Sequence, residues 1–544
     1  MSGARLYFPL AALASIGIGL AVAWLFPIYF RADDAAYLAW AFAQPTPAAA
    51  FDPSGASLFG AFRPVTNLTW WLMAKAFGFN PTGYHVVLVA TWSLGMATFA
   101  RWLFELRGAS FATACVLAWF ATFHFLLYTL FWFSSVVYLL EILWMTISLL
   151  CFTRFVRAEH PRWLWAGAWL ISSILAILTK EPAALLLPPI QAGILLDLRR
   201  RGTPAPTRLP ALMAGLLAVA GLLWVFAKPG VLERQGIGQA LADGTAWAFL
   251  TERWTFYASH LGNGPGLLLW IAAAWLACPG LPRLPRLALA LSVAGAAFLW
   301  PAPLLIVLGL LILLPARDNP LATTGGVWLL LPIGALLTIN FMVRTYLLEA
   351  SFGGALLIGC ALAPLSARAW TACLNGGLSW RIIGSTGMIL AIGASFVGMQ
   401  IKPLRSRWEA LRTLSETRKF NGRLVEAISN GATDGLPLVV IDYEDRGLDY
   451  GRDVLPLNDL QKSRVQKTFI SHELRIFLGI RPGTPIELLN FTQWKSKGSP
   501  RALVFAMNRD EIGWLESNVA TPMERVLGYS GQWSATGLYR VGNP

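Results

Sequence analysis

Runs of roughly 20 apolar residues recur along the chain, beginning with "LYFPLAALASIGIGLAVAWLFPIYF" at residues 6–30. That is the length an α-helix needs to cross a bilayer, and the recurrence is what most limits the folds open to this sequence. Composition agrees. Hydrophobic residues make up 56% and charged residues 13% of 544 residues, with 25 Trp and 31 Phe. A soluble fold of this size cannot hide so much apolar area, because surface falls too slowly with mass. The sequence therefore predicts a polytopic α-helical membrane protein.

The apolar runs read as spans at 6–30, 84–104, 110–128, 136–156, 163–178, 183–198, 209–226, 267–281, 287–300, 303–314, 327–341, 351–365 and 382–399. That makes about 13 crossings, an odd number that puts the termini on opposite sides. The first run is too long and too aromatic at its end for an ordinary cleaved signal, and it is read as a retained anchor. Arg5, Arg107, Arg154, Arg157, Arg162, Arg199, Arg200, Arg201, Arg283, Arg286, Arg317 and Arg368 all fall on one side under this alternation. The positive-inside rule makes that side cytoplasmic. The expected location is the inner membrane, multi-pass, with a cytoplasmic N-terminus. The net charge of +14 then reflects topology and contact with anionic lipid, and no motif supports nucleic acid as a partner.

After residue 400 the composition changes. "SRWEALRTLSETRKFNGRLVEAI" and "LNDLQKSRVQKTFISHELRIFL" carry helical amphipathic spacing, while "LPLVVIDYED", "PIELLNF" and "RALVFAMN" read as strands. Residues 1–400 form the expected membrane domain, and 401–544 a small extracytoplasmic α/β domain with its own core. The five cysteines, Cys115, Cys151, Cys278, Cys360 and Cys373, lie in or beside apolar segments without metal-ligand spacing, so neither a disulfide framework nor a zinc site is expected.

The side opposite the arginines receives few charges, drawn from distant segments. Asp33 and Asp34 follow the first span in "FRADDAAY"; Arg63 and Asn67 lie in "FGAFRPVTNLTWW"; Lys180 and Glu181 form the turn in "ILTKEPAALLLPP"; Arg344 and Tyr346 stand in "NFMVRTYLLEASFGG". Each has an ordinary explanation. The acid pair caps a helix beginning near Ala35, the arginines snorkel to the interface, and the Lys–Glu pair is the polar tip of a hairpin. Adjacent aspartates on a helix point about 100° apart, so one at most faces a given ligand. Together, an acid pair and three cations suit a reaction needing a base for a hydroxyl and a positive pocket for a phosphate. Glu141, in "FWFSSVVYLLEILW", stands alone inside the bilayer on this reading, where a carboxyl is costly and is either functional, or simply protonated or bonded to a neighbouring helix. Two outer stretches, "NLTWWLMAKAF" and "GTAWAFLTERWTFYASHL", suit helices lying in the interface.

The order of "FRADDAAY", "FRPVTNLTWW", "FGFNPTGYHVVLVATWSL", "LTKEPAALLLPP" and "VRTYLLEASFGG" resembles the membrane glycosyltransferases of the GT-C class. Within that class it is most similar to the protein O-mannosyltransferase-like branch and the membrane half of tetratricopeptide-containing O-mannosyltransferases. The resemblance implies a transferase that moves a sugar from a polyprenyl-phosphate donor at the extracytoplasmic face. Asp33 matches the catalytic acid and Asp34 its acidic partner. Arg63, Lys180 and Arg344 hold the lipid phosphate, and His85 occupies the family's Tyr-His position. Asn67, Glu181 and Tyr346 complete the implied substrate-binding set. The chain departs from the pattern where Phe125 follows His124 in place of proline, where no arginine opens the fourth span, and in a tail without tetratricopeptide repeats.

On this reading the acceptor hydroxyl attacks the anomeric carbon in one inverting displacement, a carboxylate takes its proton, and the cations stabilise the leaving phosphate. The scheme needs no cofactor and no metal. A divalent ion stays open as an alternative, with Asp52, Asp243 and Glu252 as the other acids of the long outer loops. The acceptor is a protein, a cell-envelope glycan or a lipid. The rival function is a multi-pass transporter or flippase of an anionic or lipid-linked substrate, although the chain shows no internal symmetry of the kind transporters carry.

Overall fold

A computed structural model gives the fold, and it describes residues 33–53, 62–78, 80–157, 162–202, 208–227, 236–262, 267–277, 282–299, 319–337, 344–374, 438–441, 486–489, 496, 502–506, 520–526 and 536–541. The chain forms two compact units. The first comprises Met1–Leu25, Thr46–Thr69 and Tyr84–Gly398; the second comprises Phe26–Pro45, Trp70–Gly83 and Met399–Pro544.

Helices account for the described part of the first unit. They are the start of α2 (Pro64–Phe77), α3 (Pro81–Arg107), α4 (Ala109–Phe123), α5 (Val136–Arg157), α6 (Arg162–Thr179), α7 (Pro182–Arg200), α8 (Arg208–Ala227), α9 (Gly236–Ala242), α10 (Ala246–Gly262), α11 (Leu267–Ala277), α12 (Arg283–Leu299), α13 (Pro320–Leu336) and α14 (Leu347–Leu374). Most begin or end within a few residues of the sequence expectation. Proline opens α2, α3, α7 and α13, where its missing N–H costs nothing. Gly108, at φ 89°, joins α3 to α4 in a conformation that side chains with a Cβ resist. The expected span at 110–128 is shorter than foreseen: the α-helix stops at Phe123 and the chain tightens into 3-10 turns at His124–Phe131 and Phe133–Ser135. The expected spans at 6–30, 303–314 and 382–399 lie outside the described residues. Among the described residues, Thr82–Arg107 and Phe133–Arg157 are long and apolar enough to cross a bilayer, and the apolar stretches of other helices, such as Leu209–Leu223 and Leu347–Ala363, are 10–17 residues long.

The interior of this unit is aromatic and hydroxyl-bonded. Trp92 packs on Trp119 at 4.9 Å, and Phe99 meets Phe352 edge-on at 4.9 Å, tying α3 and α4 to α14. Trp119 Nε1 donates to Ser351 Oγ at 2.8 Å, and Trp102 Nε1 to Thr153 Oγ1 at 3.1 Å. Hydroxyl pairs link α3 to α5 (Thr98–Thr146, 2.6 Å) and α5 to α6 (Ser148–Ser173, 2.7 Å). Where α13 crosses α14 the backbones come close: a Cβ placed on Gly325 would lie 2.8 Å from Leu357 N and 2.9 Å from Gly353 O. Small residues at helix crossings and hydroxyls bonded between helices are the packing devices of membrane bundles.

The outer faces are as apolar as the interior. Leu164, Ile171, Leu212, Leu216 and Leu223 each expose 62–66% of their surface, and on α8 the last three repeat at helical spacing. Exposed apolar stripes of this kind are costly in water and ordinary against lipid.

In the second unit, helix α1 (Asp33–Ala43) begins at the acid pair. Tyr37 stacks on Trp70 with ring centroids 5.0 Å apart and planes 4° from parallel, and Trp71 Nε1 donates to Gln44 O at 3.2 Å. The later half of α2 is thereby fastened to α1. The same unit holds a five-stranded sheet of β1 (Leu438–Ile441), β2 (Ile486–Leu489), β3 (Ala502–Ala506), β4 (Ala520–Val526) and β5 (Thr536–Val541), in the order β2-β1-β3-β5-β4. β1 runs parallel to both β2 and β3, and β5 runs antiparallel to β3 and β4. The three expected strands are present. The two C-terminal strands, "ATPMERV" and "TGLYRV", were too polar to be read from pattern alone. Pro522, which can donate no ladder hydrogen bond, sits on edge strand β4 beside a register shift. The two amphipathic helices expected between 406 and 478 fall outside the described residues.

Candidate active site

Two groups of charged residues in the first unit lie at opposite ends of α5. At one end, the C-termini of α3, α5 and α7 meet the N-terminus of α13. There Arg107 pairs with Asp197 and reaches Asn319 Oδ1 at 3.3 Å, Arg201 reaches Asp197 at 3.2 Å, and Arg154 grips Glu105 through Nε and Nη2. Arg157 donates to the carbonyl of Leu106 at 3.3 Å. These are the arginines that the alternation of spans assigned to a single face. α5 has 22 residues, so about 33 Å separates this end from the other.

At the opposite end, the start of α2, the α6–α7 turn, the first turns of α5 and the start of α14 converge. Thr66 Oγ1 donates to the carbonyl of Thr179 at 3.0 Å, which fixes α2 beside the turn. Three residues earlier in α2's approach, Arg63 lays its planar fork on Glu181, with Nη2 2.9 Å and Nε 3.2 Å from Oε2 and Nε 3.3 Å from Oε1. Both side chains are about four-fifths buried, at 18% and 17% exposure. Lys180, one residue back, has different partners. Its ammonium binds Glu349 on the first turn of α14 and lies 3.6 Å from Glu141 Oε2 on α5. The same nitrogen sits 4.0 Å above the ring of Tyr138 and 5.6 Å from that of Tyr346, and these rings are 5.7 Å apart. Cation–π attraction and two carboxylates thus hold one ammonium in a nearly closed box.

The expectation that Glu141 stands alone inside the bilayer is corrected by this geometry. The lysine beside it comes from a turn 39 positions along the chain, which no local pattern announces. Glu349 was not singled out by sequence reasoning, although it lies in the quoted "VRTYLLEASFGG". A carboxylate in the first turn of an otherwise apolar helix was the available signal.

The remaining expected residues are placed as follows. Asn67 is buried one turn after Arg63, with its backbone N–H on the carbonyl of Arg63 at 2.9 Å. Its Oδ1 has no hydrogen-bond partner among the described residues. His85 is buried early in α3, edge-on to Phe133 at 6.4 Å, and its Nε2 likewise lacks a partner among the described residues. Arg344 and Tyr346 lie on the 3-10 turn Arg344–Tyr346 that leads into α14. Asp33 and Asp34 open α1, in the second unit, where carboxylates favour the helix N-terminus; Asp34 is fully buried. The structure therefore brings Arg63, Lys180, Glu181 and Tyr346 together and adds Glu141, Tyr138 and Glu349. Among the described residues no group of three or more His, Cys, Asp or Glu side chains is arranged to hold a metal ion.

No protein-family model matches the sequence, and no curated protein matches it. Among solved structures the chain is similar to ArnT from Cupriavidus metallidurans bound to undecaprenyl phosphate, at 16% identity over 99% of this chain and 98% of that one, with a TM-score of 0.38. The apo state of the same protein gives 15% identity, the same coverage and a TM-score of 0.37. TM-scores of this size do not establish a shared fold.

Proposed function

We propose that the chain is a membrane glycosyltransferase of the GT-C type, transferring a sugar from a polyprenyl-phosphate donor at the extracytoplasmic face. Residues 1–400 form its membrane domain and 401–544 its extracytoplasmic domain. One observation supports the reading above others: Arg63 and Lys180, from segments more than a hundred residues apart, share one end of the helices with buried carboxylates and tyrosines, opposite the arginine-rich end. The order of motifs in the sequence supplies the reaction class.

In this reading the donor's phosphate docks against Arg63, Lys180 and Arg344. Arginine offers paired donors that match phosphate oxygens, and lysine a compact charge. The carboxylate of Asp33, with Asp34 beside it, receives the proton of the acceptor hydroxyl as its oxygen attacks the anomeric carbon. The bond from that carbon to the phosphate oxygen breaks, the electron pair leaves with the lipid phosphate, and the configuration inverts. Catalysis is then positioning plus electrostatics in a site shielded from water, where fixed charges act more strongly than in bulk.

The test is Asp33→Asn in purified protein with a labelled polyprenyl-phosphate sugar and a panel of protein, glycan and lipid acceptors. Transfer should fall by two or more orders of magnitude, roughly the contribution of a general base. Transfer at the wild-type rate removes Asp33 from the mechanism. Vectorial movement of the lipid across a vesicle membrane, with no transfer by the native chain, favours the transporter reading.

A further inference from the structure

We propose that the ends of α3, α5 and α7 that carry Arg107, Arg157 and Arg201 form a binding site for the phosphate of an anionic phospholipid in the cytoplasmic leaflet. The inference rests on the assignment of this end to the cytoplasmic side, and not on the sugar-transfer chemistry. Both helices long enough to cross a bilayer, Thr82–Arg107 and Phe133–Arg157, finish on an arginine. A side chain at such a point stands where hydrocarbon gives way to lipid headgroups.

Topology alone asks only for positive charge near the end of a span. Here the charges are also held in a fixed arrangement. Asp197 takes Arg107 Nη2 on one oxygen at 2.5 Å and Arg201 Nε on the other at 3.2 Å, so a single carboxylate sets two guanidiniums side by side. Arg157, the last residue of α5, donates to the carbonyls of Glu105 and Leu106 near the end of α3. It lies within electrostatic range of Arg201 and Asp197. Glu105 is occupied by Arg101 and Arg154.

The charges of this group do not balance. The guanidiniums of Arg101, Arg107, Arg154, Arg157 and Arg201 share two carboxylates, a surplus of three positive charges. The C-termini of three helices return about half a negative charge each, which leaves the group positive. The surplus is also reachable. Arg157 is exposed, and the side chain of Arg201 is 39% exposed. Asp197 engages Arg201 through Nε, and its two terminal nitrogens have no partner among the described residues. Planar guanidinium forks match the paired oxygens of a phosphate. The carboxylate and carbonyls that hold them reduce the freedom lost on binding. Leu196, beside Asp197 in the chain, is 55% exposed, an apolar surface of the sort an acyl chain covers.

The test titrates the full chain, in micelles of uncharged detergent, with phosphatidylglycerol, with phosphatidylcholine of the same acyl chains, and with inorganic phosphate. Affinity is read from the concentration dependence of the unfolding temperature. Phosphatidylglycerol should bind, and the other two should not at the same concentrations. Arg157→Lys/Arg201→Lys keeps both charges and loses both forks. Its affinity for phosphatidylglycerol should fall about tenfold, as the loss of oriented charge-assisted hydrogen bonds does. Arg199→Lys/Arg200→Lys alters exposed neighbours outside the arrangement and should bind as wild type does.

Wild-type affinity in Arg157→Lys/Arg201→Lys overturns the proposal, since a diffuse field depends on charge and not on fork geometry. An equal loss in Arg199→Lys/Arg200→Lys overturns it too, because the arginines then act without a fixed arrangement. Equal binding of phosphatidylcholine removes the need for headgroup charge, and equal binding of inorganic phosphate replaces the lipid by a soluble anion; either result refutes the lipid site. If the double variant fails to fold, Arg201→Lys decides, because Asp197 keeps Arg107: a several-fold loss supports the site, and wild-type affinity refutes it. These measurements read binding and not transfer, so their failure leaves the glycosyltransferase reading untouched.

Discussion

Replacing Lys180 by methionine keeps the length of the side chain and removes its charge. Glu349, with Glu141 close by and side chains 3% and 0% exposed, is then left as a buried carboxylate without a cation. Removing one partner of a buried ion pair costs about 3–5 kcal/mol, because the remaining charge stays desolvated and uncompensated. The loss of the cation–π contacts with Tyr138 and Tyr346 adds to this, by about 1–2 kcal/mol for a desolvated ammonium. The expected destabilisation is thus at least about 3 kcal/mol, a factor of more than a hundred in the folded-to-unfolded ratio. The assay is equilibrium unfolding in mixed micelles, following tryptophan fluorescence. The companion variant Lys180→Met/Glu141→Gln/Glu349→Gln removes every ionisable group of the cluster. It should recover most of the loss, since neutral side chains of similar volume replace a buried ion cluster at little net cost. A Lys180→Met protein within 1 kcal/mol of wild type, or a triple variant no more stable than the single one, would refute the reasoning: the ammonium would not then be what compensates the buried carboxyl cluster.

Three further outcomes follow from other contacts. Gly325→Val forces apart the α13–α14 crossing, where a Cβ already meets backbone atoms at 2.8 and 2.9 Å; it should lower stability by about 1–3 kcal/mol or more, read by thermal unfolding, while Gly334→Val, which meets nothing within 4 Å, should not. Thr66→Val removes the 3.0 Å hydrogen bond to the carbonyl of Thr179 and should cost about 1 kcal/mol, again by unfolding in micelles. Arg63→Lys cannot reproduce the Nε and Nη2 fork on Glu181; donor KM should rise several-fold, in line with about 1 kcal/mol lost at a bidentate site, and an unchanged KM would remove Arg63 from donor binding.

Much of the helical architecture was readable from the chain alone, because length and unbroken apolar character dictate a bilayer-spanning helix wherever they occur. The sorting of Arg107, Arg154, Arg157 and Arg201 to one end followed from counting spans, since each crossing reverses the side. The turn at Lys180–Glu181 was likewise legible, as two charges and Pro182 between apolar runs permit little else. The break of α4 at Phe123 was not: "ATFHFLLYTLF" contains neither Gly nor Pro, and the tightening into 3-10 turns is decided by the neighbours it packs against.

The partners of the site were settled only by tertiary structure. Arg63 finds Glu181 across 118 residues, and Lys180 finds Glu349 across 169. A periodic pattern specifies which face of a helix is buried, but not which other helix lies against that face. Sequence could therefore nominate the cations, while the packing of α5 and α14 around the turn selected Glu141, Glu349 and Tyr138 as their company. The physical reason is range: helix formation answers to residues within a turn or two, whereas a buried ion cluster is balanced only when remote segments arrive together.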